Sequence, residues 1–326
     1  MYTVDVIIPT YKPDKELLQL LDMLKVQTVK PDRILILNTE EKCFDQLVYG
    51  SDFYKKYPDC KVYHHSRREF DHGGTRNKGV KRSQAEYFVM MTQDAIPADA
   101  NLLELLLKPL IEKKAAVSYA RQIPKKDCQP AERYVRTFNY PEESCLKGQQ
   151  DVERLGIKTY FCSDVCAAYD REIFVSLGGF LKRAIFNEDM IYAAKAAKAG
   201  YKIAYCGDAL VYHSHNYSPK EQLKRNFDLG VSQAEHPEVF AGLSSEGEGI
   251  RMVKQTLAYL WSEGYKRAIP GFIVQCGAKW IGYRLGRNYR RLGERLILRC
   301  TASPLYFKRQ PAGKDSERND SRNERS

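Results

Sequence analysis

Three stretches of this chain carry side chains that could do chemistry: Asn187-Glu188-Asp189, Asp71 with Arg76 and Asn77 around the pair Gly73-Gly74, and Asp94. Adjacent carboxylates can take a proton or hold a cation, but at a helix start they also have an ordinary explanation. Asn187 reads as an N-cap whose side-chain oxygen accepts a first-turn amide, and acids in that turn suit the helix dipole. In the second stretch the two glycines let the backbone approach a ligand. A helix over 75–83 would turn free amides toward an anion there, and the Arg76 guanidinium is a fork suited to phosphate. Asp94 follows the apolar run 86–91 after Thr92 and Gln93. A carboxylate just past a central strand is placed to hold a divalent ion bound to phosphates, although a turn aspartate is the commoner role.

The elements that must position these groups alternate. Residues 4–8 form a β-branched strand that ends at Pro9, with a loop over 9–13. Leu17, Leu18, Leu21 and Leu24 then recur at helical spacing, and 33–37 is a second strand followed by a polar loop at 38–41. Strand, helix, strand predicts a right-handed βαβ unit, and ligands of open α/β sheets bind beyond the carboxyl ends of such strands. Thr10, Tyr11 and Asn38 are therefore expected to line a site.

Further strands are expected at 61–64, 86–91, 115–120 and 160–169, with helices over 102–111 and 170–177. Residues 121–160 are polar and rich in Pro, Tyr and Arg, which predicts a long, partly ordered excursion able to cover a site. The helix opened by Asn187 stops at Gly200. Two short strands follow, the second running into His213-Ser214-His215-Asn216-Tyr217. Ser218-Pro219-Lys220-Glu221 carries a capping box with proline at the first helical position.

Beyond residue 247 the pattern is helical. Ile281, Leu285, Tyr289, Leu292 and Leu296 form one apolar stripe, with Lys279, Arg284, Arg287, Arg291 and Arg295 on the other side. Such a helix either docks on the domain or lies on an anionic bilayer with Trp280 and Tyr283 near the interface. The expected division is a domain over 1–240, a basic helical extension over 241–300 and a polar, disordered tail over 301–326.

With 52 Lys and Arg against 41 Asp and Glu, the net charge of +11 suits an anionic partner such as a nucleotide or an acidic membrane surface. No nucleic-acid reading motif accompanies it. The nine cysteines include no Cys-x-x-Cys pair, which fits reduced thiols better than disulfides or a zinc site. No run of about 18 apolar residues is present, so no membrane-spanning helix is expected. The opening residues read as strand, so a cytoplasmic setting is expected.

Taken in order, these pieces resemble the family 2 glycosyltransferases of GT-A fold, and within them the bacterial rhamnosyltransferase-like group. The match rests on Ile8-Pro9-Thr10-Tyr11, Glu69-Phe70-Asp71-His72-Gly73-Gly74-Thr75-Arg76-Asn77, Thr92-Gln93-Asp94-Ala95, Asn187-Glu188-Asp189 and His213-Ser214-His215-Asn216-Tyr217. The resemblance spans roughly 3–235 and implies an α/β, Rossmann-like fold with a mostly parallel central sheet and flanking helices. It implies an inverting transfer in which Asp189 is the general base and Glu188 beside it orients or binds the acceptor. Adjacent helical residues point about 100° apart, so the two cannot share one role.

The resemblance further implies that Pro9, Thr10, Tyr11 and Asn38 lie near the base and ribose. Asp71, Gly74, Arg76, Asn77, Gln93 and Asp94 would line the rest of the nucleotide-sugar site. Asp94 and His213 would hold Mg²⁺ or Mn²⁺, with His215 a weaker second candidate. Thr92 stands where the wider fold carries the first Asp of its metal motif. The implied donor is dTDP-L-rhamnose and the implied acceptor a saccharide, lipid-linked at the inner face of the cell membrane, in O-antigen or capsule synthesis.

Another nucleotide sugar is the alternative within the class. A nucleotidyltransferase would need a glycine- and lysine-rich loop after the first strand, which Pro9-Thr10-Tyr11-Lys12-Pro13 does not provide. A non-catalytic membrane-bound module would have no need of Asp94, Asp189 and His213.

Overall fold

The apolar β1 (Val4–Tyr11) has no exposed position between Val4 and Thr10, because it is flanked on both sides. β2 (Arg33–Thr39) and β4 (Tyr87–Met91) run parallel to it, and β3 (Cys60–His65) runs parallel to β2. The computed structural model describes residues 2–243 and 246–308. The nine-stranded sheet continues through β8 (Cys166–Asp170), β6 (Val117–Ile123), β9 (Ile203–Tyr212) and β5 (Ile96–Pro97), with β7 (Cys145–Lys147) also on β9. The expected α/β fold is present, and the β3-β2-β1-β4 part and the β6–β9 pair are parallel. β4–β8, β6–β8, β5–β9 and β7–β9 are antiparallel, so the sheet is mixed.

Two boundaries move in ways that matter for the site. β1 does not stop before Pro9: Pro9, Thr10 and Tyr11 pair in register with Leu37, Asn38 and Thr39. Pairing with β4 ends at Ile7 and Met90, so a proline without an amide proton is tolerated where the ladder has lost its second neighbour. The excursion over 121–160 is not loose. It holds a helix at Pro130–Asn139, β7 and a short helix at Val152–Leu155.

Two apolar layers cover the sheet. Leu17, Leu20, Leu21 and Leu24 of the Lys15–Lys25 helix pack with Leu103, Leu106 and Leu107 of the Leu102–Ile111 helix on one face. Tyr169, Phe174, Phe180 and Tyr192 form an aromatic cluster on the other.

The C-terminal region corrects the single stripe. The expected helix is broken into Ile269–Arg287, a turn at Tyr289–Arg291 and Glu294–Cys300, so Ile281 and Leu296 are exposed while Tyr289 is buried. The inner face is instead made of glycines. Gly282 and Gly286 lie against the Pro219–Glu235 helix, where a Cβ would run into the carbonyl oxygens of Leu223 and Phe227, and Gly230 faces them in return. Small residues let the two backbones approach closely.

Residues 301–308, grouped above with the disordered tail, are packed. Thr301 is fully buried, and a short helix at Pro304–Lys308 brings Tyr306 and Phe307 onto Phe227 and Tyr289. The disorder expected beyond residue 308 lies outside the described residues. Among the described residues no helix is long and apolar enough to cross a membrane.

Gly286→Val would force a branched side chain into the Phe227 backbone. It is expected to destabilise the protein by at least about 1–3 kcal/mol, read as a lowered midpoint in urea denaturation.

Candidate active site

Asp189 stands in the first turn of the Glu188–Lys198 helix. Asn187 before it does not cap with its side chain. It takes a left-handed conformation (φ 63°), and its Nδ2 donates to Ser232 Oγ at 3.3 Å while Ser232 Oγ donates to the Phe186 carbonyl. Asparagine tolerates this conformation better than most residues. The resulting kink turns Glu188 inward and leaves Asp189 half-buried.

Glu188 pairs with Arg76 at 3.0 Å, and Arg76 Nε reaches Asp164 Oδ2 at 2.9 Å. Asp164 also accepts from Tyr169 Oη, and its own amide donates to Asp189 Oδ2 at 3.1 Å. Three carboxyls therefore surround one buried guanidinium, and not all of them can ionise. For Glu188, Arg76 and His72 outweigh burial and hold its carboxyl below the usual range. Burial pushes Asp164 up to about 6. Burial, then the charges of Glu188 and Asp164, pushes Asp189 well above an ordinary carboxylate.

Several expected ligand residues are committed elsewhere. Arg76 is taken up by the two acids and the His72 carbonyl and is only 7% exposed, so it is not a free phosphate fork. Asn77 brackets Phe180 with both side-chain atoms, across 103 residues of chain. Asp71 caps the His72–Arg82 helix, accepting the Gly74 amide at 2.5 Å, so that amide is not free for an anion. Thr10 and Asn38 bond each other inside the sheet, and Asn38 also meets His64. Pro9 is half-buried beside them in β1. Tyr11 is the exposed member of this group, and Gln93 makes two hydrogen bonds to its backbone.

Asp94, His213 and His215 converge. The two Nε2 atoms are 3.0 Å apart, and Asp94 Oδ2 lies 3.5 Å from that of His213 and 3.2 Å from that of His215. The weaker candidate by sequence, His215, is thus the nearer one. Parallel pairing of β6 with β9 brings Gln122 beside His213, and Gln122 Oε1 meets His213 Nδ1 at 2.9 Å. Arg136 Nη1 donates to the same oxygen, so that oxygen is an acceptor and Nδ1 carries the proton. Nε2 is left with its lone pair toward Asp94 and His215. Burial holds the His213 imidazole neutral, down to about 3. Two imidazole nitrogens and one carboxylate oxygen are a donor set that can hold a divalent transition ion.

The two halves share a loop. Ser163 Oγ accepts from Gln122 Nε2, and the next residue, Asp164, holds Asp189. Gln122 and Asp164 escaped the sequence reading. Their signals are weak: a glutamine near the end of β6, and an acid two residues before β8.

The sequence pattern of Glycosyl transferase family 2 matches residues 5–178. The O-antigen chain rhamnosyltransferase RfbN of Salmonella typhimurium is 38% identical over 297 residues, covering 89% of this chain and 91% of RfbN. The chain belongs to glycosyl transferase family 2. It is also 42% identical over 234 residues to the O-antigen chain rhamnosyltransferase WbaN of Salmonella anatum, covering 70% of this chain and 72% of WbaN. Among solved structures, the mannosyltransferase PcManGT of Pyrobaculum calidifontis with GDP-Man and Mn²⁺ aligns over 94% of this chain and 88% of its own. It does so at TM-score 0.55 and 16% identity. TarS residues 1–349 of S. aureus with UDP-GlcNAc aligns over 89% of this chain and 92% of its own, at 0.50 and 15%. Both share the GT-A-like fold with this glycosyltransferase.

Removing Arg76 would strand two buried carboxyls. Arg76→Leu is expected to cost about 3–5 kcal/mol of stability in chemical denaturation, whereas Lys81→Leu, exposed in the last turn of the same helix, should leave the midpoint nearly unchanged.

Proposed function

We propose that this family 2 enzyme transfers L-rhamnose from dTDP-L-rhamnose, with inversion, onto the saccharide of a growing O-antigen chain. The observation that carries this reading is the similarity to two O-antigen chain rhamnosyltransferases, over 89% of this chain for RfbN and 70% for WbaN. In the reaction, Asp189 takes the proton of the acceptor hydroxyl as its oxygen attacks C1 of the sugar. The C1–O bond to the diphosphate breaks, and dTDP leaves with the electron pair. Asp189 suits the base role better than Glu188, because Glu188 is neutralised by Arg76. Glu188, Arg76 and Asp164 instead position Asp189 and tune its basicity. Asp94, His213 and His215 would hold the divalent ion, which when bound stabilises charge on the departing diphosphate. Two nitrogen ligands favour Mn²⁺ over Mg²⁺, which prefers oxygen. Gln122 fixes the imidazole of His213 for that role.

The acceptor is lipid-linked in this reading, and the enzyme works at an anionic membrane surface. The outer face of the Ile269–Arg287 helix exposes Ile273, Val274, Trp280 and Ile281, with Arg284 and Arg287 beside them. This face replaces the 281–296 stripe as the interfacial surface.

Asp189→Asn is expected to lower rhamnosyl transfer by about 10²–10⁴-fold while dTDP-L-rhamnose binding stays within about threefold; turnover like that of the unmodified enzyme would sink the base assignment. Only ionised Asp189 can accept the proton, and its carboxyl is raised. Activity should therefore be present at higher pH and lost as pH falls through a value well above the ordinary range near 4, seen as the acid limb of kcat/KM. Separately, Ile273→Ser with Trp280→Ser should reduce co-sedimentation with phosphatidylglycerol-containing vesicles; unchanged binding would refute the membrane surface.

A further inference from the structure

A cavity of about 300 Å³ opens beyond the carboxyl ends of β1 and β2. One wall is Tyr11, Thr39, Arg67 and Phe70, and the opposite wall is the C-terminal segment from Ala302 to Tyr306. The cavity touches both halves of the active site. Its Tyr11 edge is hydrogen-bonded to Gln93, the neighbour of Asp94, and His72 on its rim lies 3.9 Å from Glu188.

The C-terminal wall is fastened, not merely adjacent. Thr301 Oγ1 donates to Asp228 Oδ1 at 2.6 Å, and the Ala302 amide donates to Asp228 Oδ2 at 3.1 Å. Tyr306 Oη donates to Glu235 Oε2, while Tyr289 Oη donates to Glu235 Oε1. Both clasps sit on the Pro219–Glu235 helix, so the segment spans a fixed gap over the cavity.

We infer that residues 302–306 complete the pocket for the nucleoside of the donor, with Pro304 and Leu305 as the apolar wall against a planar base. The inference rests on the nucleoside-diphosphate donor proposed above. A nucleobase presents two flat faces and a polar edge. Phe70, Tyr11, Pro304 and Leu305 supply apolar and aromatic surface, and Arg67, whose guanidinium lies 5.6 Å from the centre of the Tyr11 ring, supplies polar groups for the edge. The volume suits a nucleoside and leaves the diphosphate toward Gln93 and Asp94. Without this segment the base would stack on an open surface.

The test is isothermal titration of the full chain with dTDP and Mn²⁺. Leu305→Ala is expected to weaken dTDP binding about five- to tenfold through lost apolar contact. Leu305→Trp, which fills the cavity, should weaken it more. Leu296→Ala, exposed on the neighbouring helix, should bind like the unmodified chain. Melting temperatures report that the Asp228 and Glu235 clasps persist. Affinities within twofold of the unmodified chain for both Leu305 variants would overturn the inference while leaving the transferase reading intact. Failure of the unmodified chain to bind dTDP at all would overturn the donor assignment and this inference with it.

Discussion

The buried guanidinium of Arg76 is the charge around which the side of the molecule carrying the proposed base is arranged. It sits between Glu188 and Asp164 with almost no access to water. Taking a cation out of water is costly unless partners surround it, and two acids with a backbone carbonyl do so here. The same charge keeps Glu188 ionised beside Asp189, and the Asp164 backbone holds Asp189 from the other side. One residue on the His72–Arg82 helix thus ties the helix bearing the proposed base to the loop before β8.

That arrangement needs a rigid backing, and the C-terminal helices provide it. Ile185, just before the Asn187 kink, packs with Phe227, Val231 and Tyr289. The glycines at 230, 282 and 286 permit the close contact that holds the Ile269–Arg287 helix against Pro219–Glu235. From that same helix Ser232 holds the Asn187 kink, while Asp228 and Glu235 fasten the segment beyond residue 300. The extension is therefore part of the structure that presents Asp189, while its outer face carries the exposed aromatic and basic residues.

On the other side, the proposed cation-binding triad of Asp94, His213 and His215 is organised by a strand register. Parallel pairing of β6 with β9 places Gln122 against His213 across 91 residues of chain. Lys125 and Gln129 then hold the His213–Tyr217 loop through Ser214 and Asn216. The polar stretch over 121–160, expected to be only partly ordered, is ordered because its side chains, Gln122, Arg136 and Tyr140, bond to each other and to the site.

The sequence by itself determined the opening unit of β1, the Lys15–Lys25 helix and β2, the Ser218 capping box and the motifs that carry Asp94, Asp189 and His213, because these follow from local periodicity, capping chemistry and short motifs. It also carried enough pattern to reveal the family. What it could not determine is which polar groups are spent on the fold and which remain for chemistry. Arg76, Asn77 and Asn38 look like ligands locally, yet each finds its partners through tertiary contacts. Equally, nothing local marks His215 as the nearer neighbour of Asp94, the glycines of the last long helix as a packing face, or residues 302–306 as a cavity wall. A buried polar group must be satisfied by whatever the fold brings to it, and only the tertiary structure says what that is.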